Sequence, residues 1–229
     1  CATLSPGGHV ARHLDKKVYS SIGDSTFSDA ARSGSTYETD PRNAKAATSY
    51  GRSLRELGSA HEAAMVLARA LAEHPHNSDL LAEYGKALTA DGHQDMAIPV
   101  FEQAARTNAG DWSLLSAYGI ALDGVGKHEA ARERYTQALK ISPGNPDILA
   151  NLGLSLALSG KLSDAETTLR DAVSRQGAST QVRQNLALVL GLRGRFGEAE
   201  HLARGDLGDQ NAQSNVAALR QMFTRPAEW

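Results

Sequence analysis

The sequence predicts an all-α fold: an α-solenoid of five helix-pair repeats, with a C-terminal capping helix and a mostly disordered N-terminal tether. Three observations carry this expectation. Gly51, Gly85, Gly119, Gly153 and Ala187 recur every 34 residues without insertion. Each interval holds two apolar stripes of helical spacing, separated by a glycine at Gly58, Gly92, Gly126, Gly160 or Gly194. Aromatic residues are only 5% of the 229 residues, a composition that suits thin helical layers better than one large core.

Residues 1–40 are rich in Ser, Thr and Gly and poor in large apolar side chains, which predicts a polar tether. Within it Val10, Leu14 and Val18 fall at i, i+4 and i+8, enough only for a transient helix between His9 and Ser21. The sequence opens on Cys1, its only cysteine. That placement predicts lipidation after removal of a signal peptide, as in bacterial lipoproteins. More than one acyl chain gives stable anchoring, and Ala2 in place of aspartate points to the periplasmic face of the outer membrane.

The character changes at Asp40-Pro41, expected as an N-cap and a first helical residue. The folded part then spans 41–213, with repeats at 44–77, 78–111, 112–145, 146–179 and 180–213, followed by a capping helix and tail at 214–229. Counting within a repeat, the seventh position is Tyr50, Tyr84, Tyr118, Leu152 and Leu186, and the eleventh is leucine throughout. The twentieth is Ala63, Ala97, Ala131, Ala165 and Ala199; the twenty-fourth is Leu67, Phe101, Tyr135, Leu169 and Ala203. Small residues at positions eight and twenty let the paired helices approach, and the larger ones are expected to fill the space between successive pairs. Glycine at position fifteen ends the first helix. Pro99 falls inside a second helix, where it removes one backbone donor. In the fifth repeat Arg183 and Ala203 weaken the stripes, and Val216, Leu219, Met222 and Phe223 form the apolar face of the expected cap. The sequence thus resembles the tetratricopeptide family, with five copies in phase where about three make a stable stack.

The net charge of -2 gives no electrostatic reason to expect a nucleic acid or an acidic membrane surface. Catalytic and metal motifs fail by a residue. HEAAM at His61 and HEAAR at His128 lack the second histidine of a zinc helix. Gly126-Lys127 and Gly160-Lys161 lack the Ser or Thr that completes a phosphate loop, and His74-Pro75-His76 offers two ligands beside a proline. The sequence predicts no enzyme and no cofactor.

What remains is the face of the first helices, which in peptide-binding tetratricopeptide proteins lines the groove. Position nine reads Arg52, Lys86, Ile120, Leu154 and Leu188, passing from basic to apolar along the chain. Position six reads Ser49, Glu83, Ala117, Asn151 and Asn185, and the family resemblance implies that such asparagines hydrogen-bond a peptide main chain. Leu158 and Leu192, at position thirteen, widen the apolar strip. The expected ligand is a protein segment with apolar anchors across repeats three to five and its acidic end towards Arg52 and Lys86. The same residues would equally serve to pack neighbouring repeats or the chain's own linker.

The stretch QNLALVLGLRGRFGEAEHLARGDL, from Gln184 to Leu207, and NVAALRQM, from Asn215 to Met222, resemble the end of the TadD family, tetratricopeptide lipoproteins of the tight-adherence (Flp) pilus secretion machinery. This resemblance covers about thirty residues. It implies an outer-membrane-anchored periplasmic adaptor that helps to assemble or localise the pilus secretin, in the manner of a pilotin. Other lipoprotein scaffolds, such as type IV pilus pilotins and adaptors of peptidoglycan hydrolases, share the same anchor and repeats; an enzyme is the remote alternative.

Overall fold

A computed structural model describes residues 24–207, and among these every regular element is an α-helix. In chain order they are α1 (Asp24–Thr39), α2 (Ala44–Glu56), α3 (Ala60–Glu73), α4 (Ser78–Ala90), α5 (Gln94–Thr107), α6 (Trp112–Gly124), α7 (His128–Ile141), α8 (Pro146–Leu158), α9 (Leu162–Ser174), α10 (Thr180–Leu192) and α11 (Phe196–Leu207). The all-α helix-pair class matches the expectation. The chain divides into two compact units between Ala109 and Gly110, with α1 to α5 in the first and α6 to α11 in the second. Cys1, the His9–Ser21 segment and the capping segment lie outside the described residues.

Each first helix starts on a capping side chain that recurs with the repeat. Asn43 accepts from the Ala46 amide; Asn77, Asp111 and Asn145 each accept from two amides of the following turn; Ser179 accepts from Val182. These side chains satisfy N–H groups that the helix itself leaves unpaired. Each first helix ends on the glycine at position fifteen, with φ between 76° and 85° in Gly58, Gly92, Gly126, Gly160 and Gly194. The residue after that glycine donates back to the leucine carbonyl at position eleven, as Lys161 does to Leu156 at 2.9 Å. The left-handed turn recovers a carbonyl that would otherwise be orphaned.

Two expectations need correction here. The folded part does not begin at Asp40-Pro41: that dipeptide lies in a turn, and Asn43 is the N-cap. Nor is all of residues 1–40 a tether, since α1 occupies Asp24–Thr39 and packs on α2. Its buried residues are Ala30, Gly34 and Tyr37, and a Cβ at Gly34 would meet the Tyr50 ring at 2.9 Å. Tyr37 stacks on Tyr50 with ring centroids 5.6 Å apart. The spacing 30, 34, 37 matches the buried positions twenty, twenty-four and twenty-seven of the second helices, so α1 is half a repeat.

Position eight lets the paired helices approach, as expected, and the side chain it admits is the one at position twenty-four. A Cβ on Gly51, Gly85, Gly119 or Gly153 would meet Leu67, Phe101, Tyr135 or Leu169, respectively, at 2.5 to 2.6 Å. The residue at position twenty-four therefore lies over position eight of its own repeat, a contact inside the pair that the expectation of filling the space towards the next pair leaves out. In the fifth repeat Ala187 occupies position eight and Ala203 position twenty-four, both buried in one cluster. The apparent weakening of the stripe is a volume exchange. Pro99 sits within an uninterrupted α5, where the carbonyl it leaves without a donor belongs to the exposed Asp95. Arg183 turns back on its own helix start, donating to the Ala178 carbonyl at 3.1 Å and to Thr180 Oγ1 at 3.0 Å.

Candidate functional site

In the first unit α2 and α4 bring Arg52 and Lys86 together on one acidic side chain, Glu83, whose role the sequence pattern does not reveal. Glu83 is only 2% exposed. Its carboxylate accepts from Lys86 Nζ at 3.0 Å and Arg55 Nη2 at 3.3 Å, and Arg52 Nη2 lies 3.3 Å away. Burial pushes the carboxyl up, but Lys86, then Arg55 and Arg52, outweigh it and hold it below the usual carboxylate range. Beside this cluster a polar cavity of about 480 Å³ opens between α1 and α2, lined by Arg32, Ser33, Lys45, Ser49 and Arg52 among others. This unit thus presents a cation-rich, internally braced face.

The second unit presents a different face. Ile120 on α6, Leu158 on α8 and Leu188 on α10 are 43%, 62% and 41% exposed, and Leu154 and Leu192 are half-buried. Three first helices of one unit thus carry large apolar groups in contact with water, at position nine on α6 and α10 and at position thirteen on α8. The two asparagines are engaged within the protein. Asn151 Nδ2 donates to Ser116 Oγ at 3.1 Å, tying α8 to α6, and the buried Asn185 accepts from Gln181 Nε2 at 3.0 Å.

Ser, His and Asp do meet in this unit, but without a nucleophile. Asp123 accepts from His128 Nδ1 at 2.8 Å, Tyr135 Oη at 2.9 Å and Ser155 Oγ at 2.8 Å. Ser155 is fully buried and its hydroxyl donates to the carboxylate rather than to the imidazole, so the cluster fastens α6, α7 and α8 together. Burial and the Asp123 charge push the Tyr135 hydroxyl up. A second carboxylate hub, the buried Glu166, is held by Arg170, Arg193 and Arg195. Burial raises the Glu166 carboxyl, and the bonds from Arg170 and Arg195 bring it below its ordinary value. The remaining histidine motifs also have local partners: His61 Nδ1 meets Asp91 at 3.0 Å, and His74 Nε2 meets the Arg42 carbonyl at 2.8 Å. Among the described residues no group of three or more His, Cys, Asp or Glu could hold a metal ion, and no helix is long and apolar enough to cross a membrane.

Two models of the tetratricopeptide repeat match the sequence, one over residues 28–143 and one over 124–187. The chain is a tetratricopeptide-repeat protein. The first match takes in most of α1, in keeping with its half-repeat packing. No catalytic family matches, and no curated protein matches the sequence. Among solved structures, this tetratricopeptide chain is similar to a thermophilic TPR protein from Thermus thermophilus, at 20% identity and a TM-score of 0.68, covering 78% of this chain and 99% of that one. It is similar also to MamA from Desulfovibrio magneticus RS-1, at 17% identity and a TM-score of 0.55, with 81% and 98% covered. A chain of the Cut9–Hcn1 hetero-tetramer of the APC/C gives 15% identity and a TM-score of 0.70, with 91% of this chain and 42% of that one covered. At these identities the likeness is one of fold.

Proposed function

We propose that this tetratricopeptide protein is an adaptor without chemistry of its own, which holds a segment of a protein partner on the first-helix face of its second unit. The observation that carries this reading is the apolar strip on α6, α8 and α10: Ile120, Leu154 and Leu188 at position nine, of which Ile120 and Leu188 are exposed, and the exposed Leu158 at position thirteen. A monomer has no packing reason to leave such groups in water on three successive first helices, whereas a bound segment would cover them. Replacing Leu154 and Leu188 together by Asp tests it. Capture of the partner is expected to be lost while circular dichroism and melting stay close to wild type, because neither side chain belongs to the buried core. Capture that survives the pair places the binding face elsewhere.

The finer reading is an adaptor of a Tad/Flp pilus secretion machine, lipidated at Cys1, held at the periplasmic face of the outer membrane and assisting assembly or localisation of the secretin. It is supported by the resemblance of residues 184–207 and 215–222 to the TadD family. Affinity capture of the lipidated protein from cell envelopes, followed by identification of what accompanies it, tests it: recovery of the secretin or another pilus component is expected, and recovery of a peptidoglycan hydrolase in its place would refute it.

A further inference from the structure

The two units carry opposite chemistry at the same helix positions. In α6, α8 and α10, positions two, five, six, nine, twelve and thirteen contain no lysine or arginine, and their only ionised groups are Asp123 and Asp147. Asp123 is committed to three donors inside the protein, and Asp147 is exposed near the start of α8. Arg183, on α10 itself, is turned to the helix start and donates to the Ala178 carbonyl and Thr180; Lys127 and Lys161 follow the helix-ending glycines, beyond these positions, while Arg193 and Arg195 are bound to Glu166. A carboxylate seated over the strip would lose hydration and meet no cation, whereas a lysine would meet Asp147. The first unit sets four cations, Lys45, Arg52, Arg55 and Lys86, at the corresponding positions, beside Glu56, Asp79 and Glu83.

Resting on the adaptor reading above, we propose that the first-helix face of the second unit takes an apolar segment flanked by basic residues and rejects one flanked by acidic residues. The apolar strip supplies affinity and the absence of cations supplies the choice, since specificity is a difference that an unpaired charge can create.

The test uses the full chain and three amphipathic helical peptides with one leucine face and lysine, glutamine or glutamate flanks, followed by fluorescence anisotropy. Binding is expected to be tightest for the lysine peptide and weakest for the glutamate peptide, by up to about fivefold for each exposed charge pair, with the gap closing at high salt. Leu188→Lys, which places at position nine the residue that Lys86 already supplies in repeat two, is expected to reverse the order. Glutamate and lysine peptides that bind equally to the wild-type chain would overturn the charge selection while leaving the adaptor reading in place. Failure of all three peptides to bind, or binding indifferent to Leu154→Asp, would overturn both. A concentration-dependent dimer that excludes the peptides would assign the strip to a second copy and also overturn the proposal.

Discussion

Gly153→Ala has opposite expected effects in two backgrounds. The added Cβ would lie 2.6 Å from Leu169 Cγ, 3.1 Å from Cδ2 and 3.3 Å from Cδ1. Because Cγ is the branch point of a fully buried side chain, no small rotation of its tip relieves the contact, and overpacking of this kind costs about 1–3 kcal/mol. Alanine in place of glycine in a helix returns about 1 kcal/mol. The net expectation is a loss of roughly 0–2 kcal/mol, or a melting point lower by up to a few degrees for a chain of this size. Leu169→Ala alone should cost about 2–5 kcal/mol. Once Leu169 is gone the clash is gone too, so in that background Gly153→Ala should stabilise by roughly 0.5–1 kcal/mol. The double variant rebuilds in repeat four the Ala187 and Ala203 pair of repeat five. Urea unfolding followed by circular dichroism for the four proteins of the cycle reads the coupling. Equal effects of Gly153→Ala in both backgrounds would refute the pairing of position eight with position twenty-four.

Three further outcomes follow from other parts of the structure. Glu83→Gln removes the charge that Arg52, Arg55 and Lys86 share, and is expected to lower unfolding stability by about 1.5–3 kcal/mol in denaturant titration. The carboxyls of Glu83 and Glu166 lie below the ordinary value of about 4.3, so their stabilisation is complete above that pH and is lost as pH falls through the lower folded values. Melting temperature should accordingly fall only below about pH 5, and Glu166→Gln should flatten that fall. At the helix-ending turns, Gly160→Ala forces a side chain into φ of 76° and should cost about 1–2 kcal/mol, whereas the same change at Gly110, where φ is not positive and an added Cβ meets nothing, should be close to neutral by thermal melting.

The repeat frame is legible because each slot is fixed by a steric demand that few residue types meet. Glycine at position fifteen answers a left-handed backbone, and glycine or alanine at position eight answers the side chain above it. The helix α1 is hidden in the sequence because its buried face is made of Ala30, Gly34 and Tyr37, with only one large apolar group, in a segment otherwise rich in serine and threonine. A signal is present all the same: those residues keep the spacing of the buried second-helix positions, and Gly34 accepts Tyr50. The capping series Asn43, Asn77, Asp111, Asn145 and Ser179 also recurs at the 34-residue interval, and it identifies Asn43 rather than Asp40 as the cap. In the candidate site the apolar strip follows from repeat position. The burial of Glu83 and the tie from Asn151 to Ser116 do not, because each depends on which neighbour the adjacent repeat happens to offer.

The contact between position eight and position twenty-four is closed inside a single repeat, so each helix pair sets its own thickness. When one partner grows and the other shrinks, as Ala187 and Ala203 have done, the adjustment is settled locally and the neighbouring pairs keep their stacking surfaces. A gene encoding such a chain can therefore duplicate or delete a whole interval between equivalent glycines and still specify units that stack.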